Sequence, residues 1–202
     1  YRYPHSLSSP NKIIRDDSLS YMQQCADNAI ALGAQALLIV PGSSLSGQTR
    51  QDAWKRMCEG IVRIREYTES LGIRLGIEPV NRYVSDLVNT AEDAMRVIRE
   101  VGHDGIGVVL NTGHIYLSEE TPEQAIANCE SHLLEVHVND NDGQHQQNLV
   151  PGDGTFDFDN FLKSLRSTGY SGFLTAELGW EYTQKPDLAV QETHDRLVGL
   201  MC

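Results

Sequence analysis

The 202-residue sequence has no hydrophobic run long enough to cross a bilayer. Its longest apolar run covers residues 36–40, whereas a membrane-spanning helix needs about 20 apolar residues. The N-terminus lacks the charged, apolar and small-residue segments of a secretory signal, and the first residue is Tyr1 rather than Met. We therefore expect a cytoplasmic protein without a membrane partner, with the start of the gene product outside this sequence.

Basic residues and paired cysteines are also scarce. The chain has 16 Lys and Arg against 28 Asp and Glu, a net charge of −12. Because nucleic acids are bound mainly by Lys and Arg that neutralise phosphates, this balance argues against a DNA or RNA partner. No C-x-x-C pair occurs, so neither a disulfide framework nor a thiolate zinc site is expected. We predict that the cysteines are buried as small apolar side chains and stay reduced in a reducing compartment. They are Cys25, Cys58, Cys129 and Cys202.

Short apolar segments alternate with amphipathic helical patterns along the chain. The predicted strands are nearly continuously apolar, as strands covered on both faces must be, and comprise residues 36–40, 75–78, 107–111, 134–138 and 173–178. The helical patterns cover residues 18–32, 51–71, 157–167 and 187–200, and two further helices start at the capping sequences of residues 90–93 and 121–124. This strand–helix repeat of about 30 residues predicts βαβ units and a parallel sheet.

The alternation fits either a doubly wound sheet or a (β/α)₈ barrel. No G-x-G-x-x-G follows a strand, which excludes the usual dinucleotide-binding version of the doubly wound sheet. No linker or charge block divides the chain, so we expect residues 1–202 to form one domain. A complete barrel has eight units and about 250 residues. With five clear strands and the end of another at residues 1–4, two or three N-terminal units would lie outside this sequence.

Four of the predicted strands carry a polar residue at their last or next-to-last position. These residues are Glu78, Asn111, His137 and Glu177. Because all strands of a parallel barrel end at the same mouth, the four side chains would converge there. Carboxylate and amide oxygens with one imidazole suit a divalent cation such as Mn²⁺, Mg²⁺ or Zn²⁺. The alternative is that each is an ordinary strand-end residue, hydrogen-bonded to a loop backbone.

The motifs around these strand ends resemble those of one group of barrels. In chain order they are Ile-Glu-Pro at 77–79, Asn-Arg at 81–82, Leu-Asn-Thr-Gly-His at 110–114, Val-His-Val-Asn-Asp-Asn-Asp-Gly at 136–143, Pro-Gly-Asp-Gly at 151–154 and Ala-Glu-Leu at 176–178. With them the chain resembles the xylose-isomerase-like TIM barrel superfamily, which includes ketose 3-epimerases, sugar-phosphate isomerases and epimerases, and the endonuclease IV repair enzymes. The resemblance implies an α/β fold of the (β/α)₈ type.

The resemblance further implies one divalent metal ion held by Glu78, Asn111, His137 and Glu177. Mn²⁺ is the expected ion, with Mg²⁺, Co²⁺ and Zn²⁺ as alternatives. Asn111 stands where the family usually has Asp, which removes one negative charge, so we expect weaker binding. A second departure lies at residues 146–148, Gln-Gln-Asn, where endonuclease IV carries an Asp-x-His pair for a further metal. Phosphodiester cleavage by several metals is therefore not expected.

Proton transfer on a small-molecule sugar is the chemistry that the resemblance implies. In a metal-dependent isomerase or epimerase, Glu78 and Glu177 would act as acid and base. One would remove the proton beside the carbonyl to give an enediolate, and the other would return a proton from the opposite face. His114 would contact the substrate, with Arg82 and Trp180 as further contacts. A structural role stays open for each of these three: a capping or loop hydrogen bond, an exposed salt bridge and plain packing.

Two other functions remain open from the sequence. A lyase on the same scaffold, such as a dehydratase or a C-glycoside-cleaving enzyme, shares the proton abstraction and then expels a leaving group. A degenerate barrel could bind a sugar without catalysis, an alternative motivated by Asn111 and by the absent Asp-x-His pair. A homo-oligomer is compatible with either.

Overall fold

The structure, a computed structural model, describes residues 4–102, 104–118 and 120–201. Within them lie the strands β1 (Ala36–Ile39), β2 (Arg74–Ile77), β3 (Ile106–Asn111), β4 (Leu133–Val138) and β5 (Leu174–Ala176). The five predicted strands are therefore confirmed, with small shifts at their ends. The predicted strand end at residues 1–4 lies mainly outside the described residues, and Cys202 lies outside them entirely.

Seven α-helices accompany these strands in the described part of the chain: α1 (Lys12–Ala31), α2 (Arg50–Ser70), α3 (Ala91–Val101), α4 (Thr112–Leu117), α5 (Pro122–Cys129), α6 (Phe158–Ser167) and α7 (Pro186–Met201). Thr90 and Asp93 form the predicted capping box of α3. Helix α1 begins well before the predicted residue 18, because the Asn11 side chain accepts the backbone N–H of Ile13 and caps the helix there. No described helix is both long enough and apolar enough to cross a membrane.

The strands form one parallel sheet in the order β1-β2-β3-β4-β5. Helices contact one another in chain order as well: α1 with α2, α2 with α3, α3 with α5, α5 with α6, and α6 with α7. A doubly wound sheet reverses its strand order and carries helices on both faces. This sheet advances in one direction, so right-handed crossovers place every helix on the same face. The described chain thus forms consecutive βα units of a barrel wall.

The centre of the sheet is more deeply buried than its edges. Every residue of β3 is buried, whereas most residues of the edge strands β1 and β5 are partly or fully exposed. Apolar side chains of the helices cover the outer face, and Met57, Ile61 and Ile64 of α2 and Phe161 of α6 are all 0% exposed. This packing holds the ends of the central strands in a fixed register, on which the polar residues at those ends depend.

Candidate active site

The parallel register brings the polar strand-end residues to one edge of the sheet. Asn111, the last residue of β3, pairs with His137 of β4. Just beyond β2, the backbone N–H of Glu78 donates to Ile39 at 3.2 Å, and just beyond β5 that of Glu177 donates to Val138 at 3.1 Å. One ligand atom each of Glu78, His137 and Glu177 lies within 4.8 Å of the other two. Side chains distant in the chain therefore form one cluster.

Burial differs between the two carboxylates of the cluster. The Glu78 side chain is 5% exposed and its Oε1 lies 3.5 Å from Nδ1 of His137. The Glu177 side chain is 45% exposed and its Oε2 lies 3.9 Å from the same nitrogen. Glu78 is thus fixed inside the protein, whereas Glu177 stands at the border with solvent.

The electrostatics of the cluster indicate a deficit of positive charge. Burial raises the pKa of Glu177, and the nearby charge of Glu78 raises it further, against the opposing effects of His137 and Asn111. Burial alone would lower the pKa of His137, but the contact with Glu78 and the charges of Glu78, Glu177 and Glu135 outweigh it, and the pKa is raised. Such mutual perturbation is typical of functional sites.

The donor set fits a divalent cation. His137 Nδ1 is buried and makes no hydrogen bond of good geometry, although it faces two carboxylate oxygens. A buried imidazole nitrogen without a partner is costly unless a further group occupies the space in front of it. Two carboxylates and one imidazole are suitable ligands for Mn²⁺ or Zn²⁺. Three of the four ligands expected from the sequence therefore point toward one position.

Asn111 is oriented differently from that expectation. Its Oδ1 accepts hydrogen bonds from the backbone N–H of Gly113 at 3.1 Å and of His114 at 3.3 Å, so it caps α4. Its Nδ2 donates to Glu78 Oε1 at 2.9 Å and to Glu177 Oε2 at 2.6 Å. The amide nitrogen, not the oxygen, thus faces the two carboxylates. The difference arises because α4, which the sequence did not predict, requires an acceptor at its N-terminus.

His114 lies beside the cluster as a buried, neutral imidazole. It is 7% exposed, and its Nδ1 lies 3.0 Å from Nδ2 of Asn81 and 3.4 Å from the backbone N–H of the same residue. Because both Asn81 groups are donors, Nδ1 must accept and the ring proton must be on Nε2. Burial lowers the pKa of His114, and the charge of Glu78 only partly opposes this. His114 is therefore suited to donate a hydrogen bond to a polar ligand.

The other two predicted substrate contacts lie at the surface. Arg82 is exposed and follows the buried Asn81. Trp180 opens the 3₁₀ turn Trp180–Gln184 and is 84% exposed, so its ring does not belong to the core of the described chain. Their assignment to substrate binding stays a prediction.

Two residues near the site were assigned no role from the sequence. Asn81 is 0% exposed, and its Nδ2 donates to Gln146 Oε1 at 3.0 Å as well as contacting His114. The Asn-Arg motif at 81–82 was the available signal for this residue. Gln146 occupies one position of the absent Asp-x-His pair, and here it joins the loop after β4 to the segment after β2.

The Pro-Gly-Asp-Gly motif has a structural explanation. Asp140 is 0% exposed and its carboxylate accepts the backbone N–H groups of Gly152 at 2.8 Å, Gly154 at 3.0 Å and Phe156 at 3.0 Å. A Cβ atom on Gly154 would stand 2.3 Å from Asp140 Oδ1, so only glycine fits there. The motif fixes the loop after β4 beside the cluster without contributing a ligand.

Several curated relatives of the chain are sugar 3-epimerases. The chain is 24% identical to fructoselysine 3-epimerase of Escherichia coli O157:H7 over 199 residues, which cover 98% of this chain and 72% of that protein. It is 31% identical to L-ribulose 3-epimerase of Mesorhizobium japonicum over 136 residues, which cover 67% of this chain and 44% of that protein. The chain thus spans less than half of the second relative.

Solved structures of similar fold carry related names. A D-tagatose 3-epimerase-like protein matches with a TM-score of 0.85 and 18% identity, covering 100% of this chain and 78% of that one. An L-ribulose 3-epimerase matches with a TM-score of 0.83 and 24% identity, covering 98% of this chain and 71% of that one. At these identities the matches establish the fold. Residues 2–198 also match a family described as xylose isomerase-like TIM barrel, so the predicted resemblance is confirmed and the chain belongs to the xylose isomerase-like TIM barrel family.

Proposed function

We propose that this protein is a sugar epimerase or isomerase that depends on a divalent metal ion. The observation that carries the proposal is the cluster of Glu78, His137 and Glu177, whose ligand atoms lie within 4.8 Å of one another. The sugar 3-epimerases among the relatives support the reaction class. A small sugar or sugar derivative with a carbonyl group is the proposed substrate.

Glu78, His137 and Glu177 would hold the ion, for which Mn²⁺ is proposed and Mg²⁺, Co²⁺ and Zn²⁺ are alternatives. When bound, such an ion supplies Lewis-acid polarisation of the substrate oxygens. The unpartnered Nδ1 of His137 supports this assignment, because it faces both carboxylates without a hydrogen bond. The Asn111 oxygen, which caps α4, is not included among the ligands.

The two carboxylates would carry the proton transfers. Glu78 approaches from the end of β2 and Glu177 from the end of β5, with β3 and β4 between them. One carboxylate takes the proton from the carbon beside the carbonyl, and the electron pair passes to the carbonyl oxygen as an enediolate forms. The other carboxylate returns a proton to the opposite face. Burial and the charge of Glu78 raise the pKa of Glu177, the direction that suits a general acid or base.

The surrounding side chains would orient the sugar. His114 would donate its Nε2–H to a substrate oxygen, since Asn81 holds Nδ1 as the acceptor. Arg82 and Trp180, both exposed after their strands, would contact the outer part of the substrate. These roles rest on position and hydrogen bonding.

Replacement of Glu177 by Gln tests the proposal. We expect E177Q to lose at least about 100-fold in kcat on ketoses such as D-tagatose, D-psicose and L-ribulose in the presence of Mn²⁺, because the amide cannot accept the proton. The exposed Glu181 is the matched control, and E181Q should keep its activity and its melting temperature. Full activity of a folded E177Q would exclude the proposed acid–base role.

The reaction type is read by NMR of the products in D₂O. Epimerisation replaces one carbon-bound proton with deuterium and inverts that carbon, whereas a lyase would release a leaving group. Release of a group would move the assignment to a dehydratase or a C-glycoside-cleaving enzyme. Absence of both reactions with every ketose, at full metal occupancy, would favour a non-catalytic sugar-binding barrel.

A further inference from the structure

We propose that Asn111 is not a metal ligand but a hydrogen-bonding clamp on Glu78 and Glu177, and that it weakens divalent cation binding by competing for the same carboxylate oxygens. This inference rests on the proposed function of the cluster. It concerns the affinity for the ion, which can be measured separately from turnover.

Three donors hold the Asn111 oxygen away from the cluster. They are the backbone N–H of Gly113, the backbone N–H of His114 and Nδ2 of Asn139, the last at 3.0 Å. The two backbone donors cannot change roles, so they determine which way the amide is turned. Turning the oxygen toward an ion would replace three hydrogen bonds with three contacts between donors. Buried donors left unpaired are costly.

Close packing prevents Asn139 from moving away from the Asn111 oxygen. A Cβ atom on Gly113 would stand 2.0 Å from Oδ1 of Asn139, so the two segments fit together only with glycine at this position. The backbone of Asn139 is held in place as well. Its N–H donates to Thr112 Oγ1 at 3.0 Å, and the Thr112 hydroxyl donates to the Asn139 carbonyl at 2.6 Å. The arrangement around the Asn111 oxygen is therefore rigid.

The amide nitrogen occupies the side from which a fourth ligand would come. Its two protons are directed at Glu78 Oε1 and Glu177 Oε2, the oxygen atoms that also face His137 Nδ1. A cation bound among these atoms would meet the positive end of two N–H bonds. Binding would therefore require those hydrogen bonds to lengthen or break, and three side chains would provide all of the protein's contacts to the ion.

An aspartate at position 111 would reverse both effects. It has nearly the same shape as Asn111, so one carboxylate oxygen would keep the cap on α4 and the other would face the ion as a fourth ligand. We expect N111D to bind Mn²⁺ at least about tenfold more tightly than the wild type, since even changes outside the direct ligands alter metal affinity about 10- to 100-fold. Without metal, the new carboxylate at position 111 would repel those of Glu78 and Glu177, so N111D should have a lower melting temperature than the wild type. Mn²⁺ should restore the melting temperature.

Calorimetric titration with Mn²⁺ of the wild type, N111D and N139A tests the clamp. N139A removes one donor to the Asn111 oxygen without adding charge, so it should bind Mn²⁺ more tightly than the wild type but less tightly than N111D. It also provides a second result if N111D does not fold. E177Q is the reference for a lost ligand and should bind less tightly than the wild type.

Two outcomes would overturn the clamp. The first is Mn²⁺ binding by the wild type as tight as, or tighter than, binding by N111D and N139A. The second is the absence of Mn²⁺ binding in every folded variant, which would also remove the proposed metal site. Failure of the clamp alone would leave the loss of turnover in E177Q intact, so the two proposals can be separated.

Discussion

Glu78 and Glu177 have the same side chain but different surroundings. The side chain of Glu78 is 5% exposed just beyond a buried strand, whereas the side chain of Glu177 is 45% exposed beyond the edge strand β5. In the proposed reaction, the buried carboxylate would keep its position relative to the substrate, and the carboxylate at the border would exchange its proton with solvent. The pair therefore offers two distinct roles in one proton-transfer reaction.

The cysteines provide a residue-scale prediction that is independent of the cluster. Burial, assisted by Glu100, raises the pKa of Cys58 to about 12, and burial, assisted by Glu120, raises that of Cys129 to about 12. At pH 8 only about one thiol in 10⁴ would be ionised, so iodoacetamide should label both at least about 100-fold more slowly in the native protein than in urea. Peptide mass spectrometry measures the two rates.

Labelling of Cys58 or Cys129 at the same rate in the native and the urea-unfolded protein would contradict this prediction. Of the three cysteines that the structure describes, Cys129 is buried as expected, whereas Cys25 and Cys58 are only partly buried. Those two lie on α1 and α2. There the helical pattern of the sequence does not distinguish a core position from one at the boundary between the buried and the exposed face of the helix.

Which side chains reach the candidate site could be predicted from the sequence, but their orientation could not. The ends of the strands are local features, visible as a polar residue after an apolar run. The direction of the Asn111 amide depends on Asn139, distant in the sequence, and on the N-terminus of α4. A helix of six residues is too short to show a 3.6-residue period, so this partner of Asn111 was not predicted.

At the scale of elements, strands and caps were the most predictable features. Each predicted apolar run corresponds to a strand, because the strands of a parallel sheet are generally buried on both faces and are therefore rich in apolar residues. The capping box of Thr90 and Asp93 is equally local. The first turns of α1 were not predicted because none of their residues is buried, and the buried positions that carry the periodic signal begin at Ser18.

Two glutamates, one just before α5 and one in its first turn, predict opposite pH effects on stability. Burial raises the pKa of Glu120, against the hydrogen bonds from Ala91 and Asn128. Its contribution to stability is complete below the pKa of the unfolded state and is lost as the pH rises through the folded pKa. Hydrogen bonds from its own backbone N–H and from Asn160 lower the pKa of Glu123. Its contribution is present above the unfolded pKa and is lost as the pH falls.

E120Q and E123Q should therefore change stability in opposite directions at neutral pH. We expect E120Q to be more stable than the wild type near pH 7, by less than about 1 kcal/mol because water screens part of the effect, and equal to it near pH 4. E123Q should be less stable than the wild type near pH 7 and approach it at lower pH. Urea unfolding at both pH values measures the differences, and parallel trends for the two variants would contradict the assignment.

At the scale of the whole molecule, the candidate site exists only when the sheet is assembled. Its residues come from the ends of β2, β3, β4 and β5, and the parallel register alone places them together. No single βα unit contains more than a fraction of the site. In the proposed enzyme, substrate choice would depend on the loops beyond these strands, for which strand and helix periodicity gives no prediction.

A bound divalent ion should therefore stabilise the entire sheet. Because only the folded protein presents Glu78, His137 and Glu177 together, Mn²⁺ at about 100 times its Kd should add about 2.7 kcal/mol to the free energy of unfolding. The melting temperature should rise with Mn²⁺ concentration and return to its starting value with excess EDTA. Differential scanning calorimetry across a Mn²⁺ series measures the shift.

Two histidine variants separate specific from general binding of the ion. H137Q removes the imidazole that faces both carboxylates and should abolish the Mn²⁺-dependent rise, whereas H194Q changes an exposed side chain of α7 and should keep it. An equal rise in both variants would mean that the ion binds elsewhere on this acidic surface. A rise confined to the wild type and H194Q would tie the stability of the sheet to the cluster, because the ion would then join the ends of β2, β4 and β5.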